Sequence, residues 1–70
     1  LGDVNVSVPD DANGSISLYA PDETVSATFP SDWAKEEAAA NSVTYTMGDG
    51  EGAHVDVTAE SLSSITASAN

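Results

Sequence analysis

Apolar and polar residues alternate along most of this chain. In "DVNVSV" (3–8), Val4, Val6 and Val8 fall on one side and Asp3, Asn5 and Ser7 on the other. That two-residue period is the mark of a strand with one buried face. The turn-forming cluster "PDDANG" follows, and then "SISLYA" (15–20) alternates again with Ile16, Leu18 and Ala20 inward. Setting Val8 opposite Ile16 also sets Val6 opposite Leu18 and Val4 opposite Ala20, so the first two runs predict a hairpin in consistent register. "TVSATF" (24–29) gives Val25, Ala27 and Phe29 on one face, between Pro21 and Pro30, and predicts a third strand.

The pattern then changes. "SDWAKEEAAAN" (31–41) is rich in helix formers. Ser31 or Asp32 can cap its start, the acids in its first turns suit the helix dipole, and Asn41 can close it. It predicts a helix anchored through Trp33, with Phe29, Tyr45 and Val55 as its neighbours. Val43, Tyr45 and Met47 alternate with Thr44 and Thr46; Ala53, Val55 and Val57 alternate with His54 and Asp56. Between the two runs, "GDGEG" (48–52) suffices to close a hairpin that pairs Met47 with Ala53, Tyr45 with Val55 and Val43 with Val57. On its other face Thr46 then meets His54 and Thr44 meets Asp56. Last, "AESLSSITA" (59–67), capped by Thr58, places Leu62 and Ile65 three apart, as a short docking helix would. The order β-β-β-α-β-β-α predicts a small α+β domain: a mostly antiparallel sheet with one helix packed on a face. Strand pair, helix and strand pair resemble the order of β-grasp domains. The modifiers of that group end in Gly-Gly and this chain ends "TASAN", so the resemblance implies nothing about function.

Composition narrows the setting. The chain has 70 residues, one small domain over 1–70, with 12 Asp and Glu against a single lysine and no arginine, for a formal net charge of −11. On so small a body this charge repels itself in dilute salt, and a Debye length of about 3 Å at 1 M salt removes most of that repulsion. Such an excess of acid resembles the proteins of extreme halophiles, above all haloarchaea. Large aliphatics are scarce, and Ser and Thr together number 16. There is no cysteine, so neither a disulfide nor a thiolate site is available. Below about 70–80 residues a single core rarely supplies more than 3–5 kcal/mol, which points to help from a metal or a partner. The sequence starts at Leu1 rather than Met, as a processed secreted or virion protein does, or a trimmed one.

Candidate chemistry is thin. Asp49 and Glu51 in "GDGEG", and Asp11 and Asn13 in "PDDANGS", are weak candidates for cation ligands. Calcium takes six to eight oxygens at about 2.3–2.6 Å, and neither loop completes the EF-hand pattern, since Ile16 stands where the second would need glycine. Both read better as turns. His54, the lone histidine, shares a strand face with Asp56, but a catalytic triad also needs a positioned serine and oxyanion donors. The acid pairs Asp10-Asp11 and Glu36-Glu37 read as solvated surface. Asn5 and Asn13 each open an N-x-[ST] glycosylation pattern. One lysine cannot build a phosphate-binding patch, and no apolar run approaches the roughly 20 residues of a membrane span.

These features predict a protein that is not an enzyme and needs no cofactor. It would be a structural subunit packing against copies of itself or a larger structural protein in high salt, as a virion decoration or cement protein, a surface-layer component or a filament subunit. Trp33, Phe29 and Tyr45 are the packing or interface candidates, and an extracellular or virion surface is the expected location. The alternatives are a dimeric adaptor or regulator inside a halophile, or a weak cation-binding module.

Overall fold

Among residues 2–70, which the computed structural model describes, every regular element is a strand; Leu1, the residue on which the processing argument rests, lies outside them. The strands are β1 (Gly2–Val8), β2 (Gly14–Tyr19), β3 (Val25–Thr28), β4 (Ala34–Ala39), β5 (Ser42–Met47), β6 (Ala53–Thr58) and β7 (Ser63–Ala69). They form two sheets, one ordered β1-β7-β3 with all strands parallel and one ordered β4-β5-β2-β6. This all-β sandwich replaces the expected α+β domain.

The alternation is what builds it. In β2 and β5 the inner positions are Ile16 and Leu18, and Val43, Tyr45 and Met47; in β7 they are Ile65 and Ala67. All belong to one buried cluster shared by the two sheets, with Val4, Val6, Val8, Val25, Ala27 and Phe29 packed against it. Ile16, Leu18 and Ile65 are the largest fully buried side chains, each contributing about 1.5–3 kcal/mol by leaving water. Ile65 is flanked in register by Val4 and Val25. At one margin Phe29 stacks tilted on Trp33 at 5.0 Å and edge-on to Tyr45 at 4.7 Å. These three rings meet, but they anchor no helix: Trp33 immediately precedes strand β4, and Val55 stands apart at an exposed edge.

Neither expected hairpin among the alternating runs forms. β1 does not pair β2; it lies parallel to β7 in the other sheet. β5 and β6 do not pair each other, because β2 lies between them, antiparallel to β5 and parallel to β6. The register read from the sequence survives with one strand inserted: Met47, Gly14 and Ala53 share a row, as do Tyr45, Ile16 and Val55, and Val43, Leu18 and Val57. Gly14 makes this possible. With φ of +128° it adopts backbone geometry that side chains avoid, and a Cβ there would collide with the Ala53 carbonyl.

Both expected helices are strands. At 34–39 helix propensity is worth only tenths of a kcal/mol per residue, and its alanines offer little apolar surface to bury. Pairing with β5 across the Ala40–Asn41 turn satisfies a ladder of backbone groups instead. Asn41, the expected helix terminator, ties this turn to the neighbouring loop: Nδ2 donates to the Ala20 and Pro21 carbonyls at 3.0 and 3.3 Å, and its own carbonyl accepts from Ala20 N–H at 3.0 Å. In β7 the two-residue spacing of Ser63, Ile65, Ala67 and Ala69 overrides the Leu62–Ile65 spacing. Leu62 is left exposed in a turn at φ 65°. Without helices, the β-grasp order also falls away.

β2–β3 and β6–β7 are two stacked arches. β6 lies parallel to β2 in one sheet and β7 parallel to β3 in the other. Hydrogen bonds from Ala59 N–H to Tyr19 O and from Ile65 N–H to Thr24 O carry the pairing through the bends.

Candidate functional site

The outer face of the four-stranded sheet carries the densest polar chemistry. The two-residue period puts Ser15 and Ser17 of β2, Thr44 and Thr46 of β5, and His54 and Asp56 of β6 on that face, in the rows Thr46–Ser15–His54 and Thr44–Ser17–Asp56. Ser15 Oγ lies 2.5 Å from His54 Nδ1, and His54 Nε2 lies 2.9 Å from Asp56 Oδ1. An ionised carboxylate only accepts, so Nε2 carries the hydrogen, and in the neutral imidazole Nδ1 accepts from the Ser15 hydroxyl. Ser17 and Thr44 share a second hydroxyl contact at 2.9 Å. The sequence put His54 and Asp56 together correctly but set Thr46 and Thr44 opposite them; the serines take those places because β2 is the neighbour. A Ser-x-Ser run paired with a His-x-Asp run was the available signal.

This chain of groups has the nucleophile–base–orienter order of an acyl-transfer site but not its surroundings. Ser15 belongs to a strand paired on both sides, so its neighbouring backbone N–H groups are used in the ladders rather than aimed at an oxyanion. The side chains of His54 and Asp56 are half or more exposed, and no cavity is present among the described residues. The arrangement fixes a histidine on a flat surface; it does not exclude water from one.

The two loops considered for cations come together at one end of the sandwich. Asn13 Oδ1 accepts the Gly52 N–H at 2.8 Å, and Asp49 Oδ1 accepts the Glu51 N–H at 3.0 Å. The Glu51 amide, and then the Asn13 side chain, hold the Asp49 carboxyl below its ordinary range. Asn13 and Asp49 thus fasten the 48–52 crossing over the start of β2. Asp11 and Glu51 are exposed, and no three His, Cys, Asp or Glu among the described residues gather closely enough to hold a metal ion. Of the glycosylation candidates, Asn5 is exposed on the outer face of β1, whereas the Asn13 amide is engaged by this crossing.

Charge is segregated. Asp10, Asp11, Asp32, Asp49 and Glu51 lie in loops at one end, and Asp22, Glu23 and Glu60 in loops at the other. Outer strand positions are mostly hydroxyls: Ser7, Ser26, Thr28, Thr66 and Ser68 on one sheet, and Ser15, Ser17, Thr44 and Thr46 on the other. Lys35 and Glu37 form an ion pair at 3.2 Å on the exposed strand β4, and the Glu37 carboxylate raises the Lys35 pKa. By register both sit on the inner side of the sheet, beside Tyr45 and Val43.

No helix among the described residues is long and apolar enough to cross a membrane. Comparison with protein-family models, with curated proteins and with solved structures returned no match for this chain.

Proposed function

We propose that the chain is a non-enzymatic structural subunit that works by packing into a larger assembly in concentrated salt. A virion decoration or cement protein, a surface-layer component and a filament subunit all fit this reading. The observation that carries it is an asymmetry between the two sides of the sandwich. Unpaired strand edges invite association unless they are shortened, bent or charged. On one side β3 is only four residues long and β4 carries a bulge and the inward Lys35–Glu37 pair. On the other side β1 and β6 have no lysine, no proline and no bulge, and Val55 is 42% exposed. The charge of −11 supports the salt requirement, since copies repel until screened. The test is the mass of the purified chain in dilute and molar potassium chloride, joined to identification of its neighbours in the intact source particle. Association in molar salt is expected; a chain that stays monomeric at millimolar concentration there would contradict the reading.

A further inference from the structure

The open edge of β6 is self-complementary, and we infer that it pairs with β6 of a second copy of this chain, antiparallel, about a two-fold axis at Val55. This rests on the subunit reading above and specifies its contact.

Backbone direction comes first. Ala59 N–H donates to Tyr19 O. By alternation along the strand, the odd-numbered residues of β6 turn their backbone groups toward β2, and the even-numbered ones turn theirs to solvent. Among the described residues, His54, Asp56 and Thr58 therefore present unpaired N–H and C=O groups along an exposed edge.

Register follows from the side chains. Two copies of a strand pair antiparallel with inner faces aligned only when opposed residue numbers share parity. Centring the axis on His54 or on Asp56 sets like residues opposite each other, His54 on His54 or Asp56 on Asp56. Centring it on Val55 sets His54 of each copy opposite Asp56 of the other on the outer face. On the inner face it sets Val55 opposite Val55 and Ala53 opposite Val57. An N–H donor directly opposite a carboxylate stabilises a ladder and two like carboxylates opposite each other weaken it, so the Val55 centre is the favoured register. His54 and Asp56 are already aligned on one face, 2.9 Å apart within each strand, so the second copy meets an ordered row.

The same register makes His54–Asp56 a hydrogen-bonded pair and Val55–Val55 the closer, non-hydrogen-bonded kind, with Cα atoms about 4.5 Å apart. The valine that is exposed in the single chain is covered in the pair. Because the arches do not cross, β1 ends its sheet on the same side as β6. The half-buried Val4, Val6 and Val8 thus belong to the side on which the second copy docks.

The chain lacks cysteine, which makes the register directly testable. In Val55→Cys the two sulfurs meet across the axis, within the roughly 4.4–6.8 Å Cα range of a disulfide. In Thr58→Cys each faces Gly52 of the other copy, far from its counterpart. Mild oxidation in 3 M potassium chloride should convert Val55→Cys to a covalent dimer on non-reducing electrophoresis and leave Thr58→Cys monomeric. Val55→Lys should weaken dimerisation by about tenfold or more in sedimentation while keeping the circular dichroism of the parent. His54→Asp should weaken it too, and adding Asp56→His should restore it. Salt-driven association without selective Val55→Cys linkage overturns this register and leaves the subunit reading standing. Absence of association at any salt overturns both.

Discussion

The side-chain carbonyl of Asn13 accepts the Gly52 N–H at 2.8 Å, so the segment that looks like a hairpin turn is fastened to the start of a different strand. Around this contact β5 hands over to β6 across β2. Gly52 has no room for a side chain, because a Cβ there would run into the Asn13 backbone.

Gly14 sets the row in which three strands meet. Gly14→Ala places a methyl against the Ala53 carbonyl at a φ that alanine avoids, and should cost about 3 kcal/mol or more, enough to unfold the isolated domain. Gly2→Ala is the control. Its φ is +126° but its surroundings are open, so only the backbone term applies, about 1 kcal/mol. Chemical unfolding of both variants in molar salt measures the difference.

Trp33 closes the margin of the core. It is 7% exposed and stacks on Phe29. Trp33→Ala should destabilise by about 3–5 kcal/mol, read as loss of the cooperative unfolding transition. A variant that kept its stability and lost only its association would make Trp33 a contact residue instead.

How far the sequence could be read follows from these positions. Val4, Val6, Ile16, Leu18, Val43, Tyr45 and Met47 all face inward as the two-residue period requires. That period fixes which face of a strand is buried and leaves open which strand lies beside it. Val43, Tyr45 and Met47 stand in correct rows with Val57, Val55 and Ala53 whether or not β2 lies between them. The parallel pairs β1–β7 and β3–β7 join residues far apart in the chain, with no local turn signal to announce them. Helix propensity misled at Ala34–Ala39, where partner strand β5 decided the outcome; at β7 the Leu62–Ile65 spacing misled, because the inward residues beside Ile65 (Ser63, Ala67 and Ala69) are too small to mark the two-residue period. The Ser15–His54 contact was hidden for the same reason: it depends on the neighbour.

Leu62 sits in the left-handed region at φ 65° with more than half its surface in water. An L-residue with a bulky side chain loses about 1–2 kcal/mol there, and glycine returns part of that gain as chain entropy. Leu62→Gly should therefore stabilise the fold by about 0.5–1 kcal/mol, and Leu62→Asn should act in the same direction. A fall in unfolding midpoint for both would show that Leu62 makes an apolar contact the turn needs.

Asp49 couples the crossing to pH. Its folded pKa lies below the ordinary 3.8, first through the Glu51 amide and then through Asn13. A depressed carboxyl contributes stability that is present above the unfolded pKa and lost as pH falls through the folded one. The parent should lose this contribution below about pH 4, and Asp49→Asn should not. At neutral pH, Asp49→Asn with Glu51→Gln should leave the unfolding midpoint nearly unchanged, since asparagine keeps the Oδ1 acceptor. Unfolding curves with and without calcium measure both effects; a large loss seen only with calcium would make these residues ligands.

In the proposed reading this sandwich is a subunit built for concentrated salt, with twelve carboxylates to one lysine and a side left open for association. Circular dichroism of the purified chain from about 0.1 to 3 M potassium chloride, with mass measured alongside, tests it most directly; the Debye length falls over that range from about 10 Å to below 3 Å. A poorly folded chain is expected at the low end and, with rising salt, an all-β spectrum appearing together with a doubling of mass, because binding to the folded state draws the equilibrium toward it. A cooperative, fully folded monomer in 0.1 M salt would contradict it.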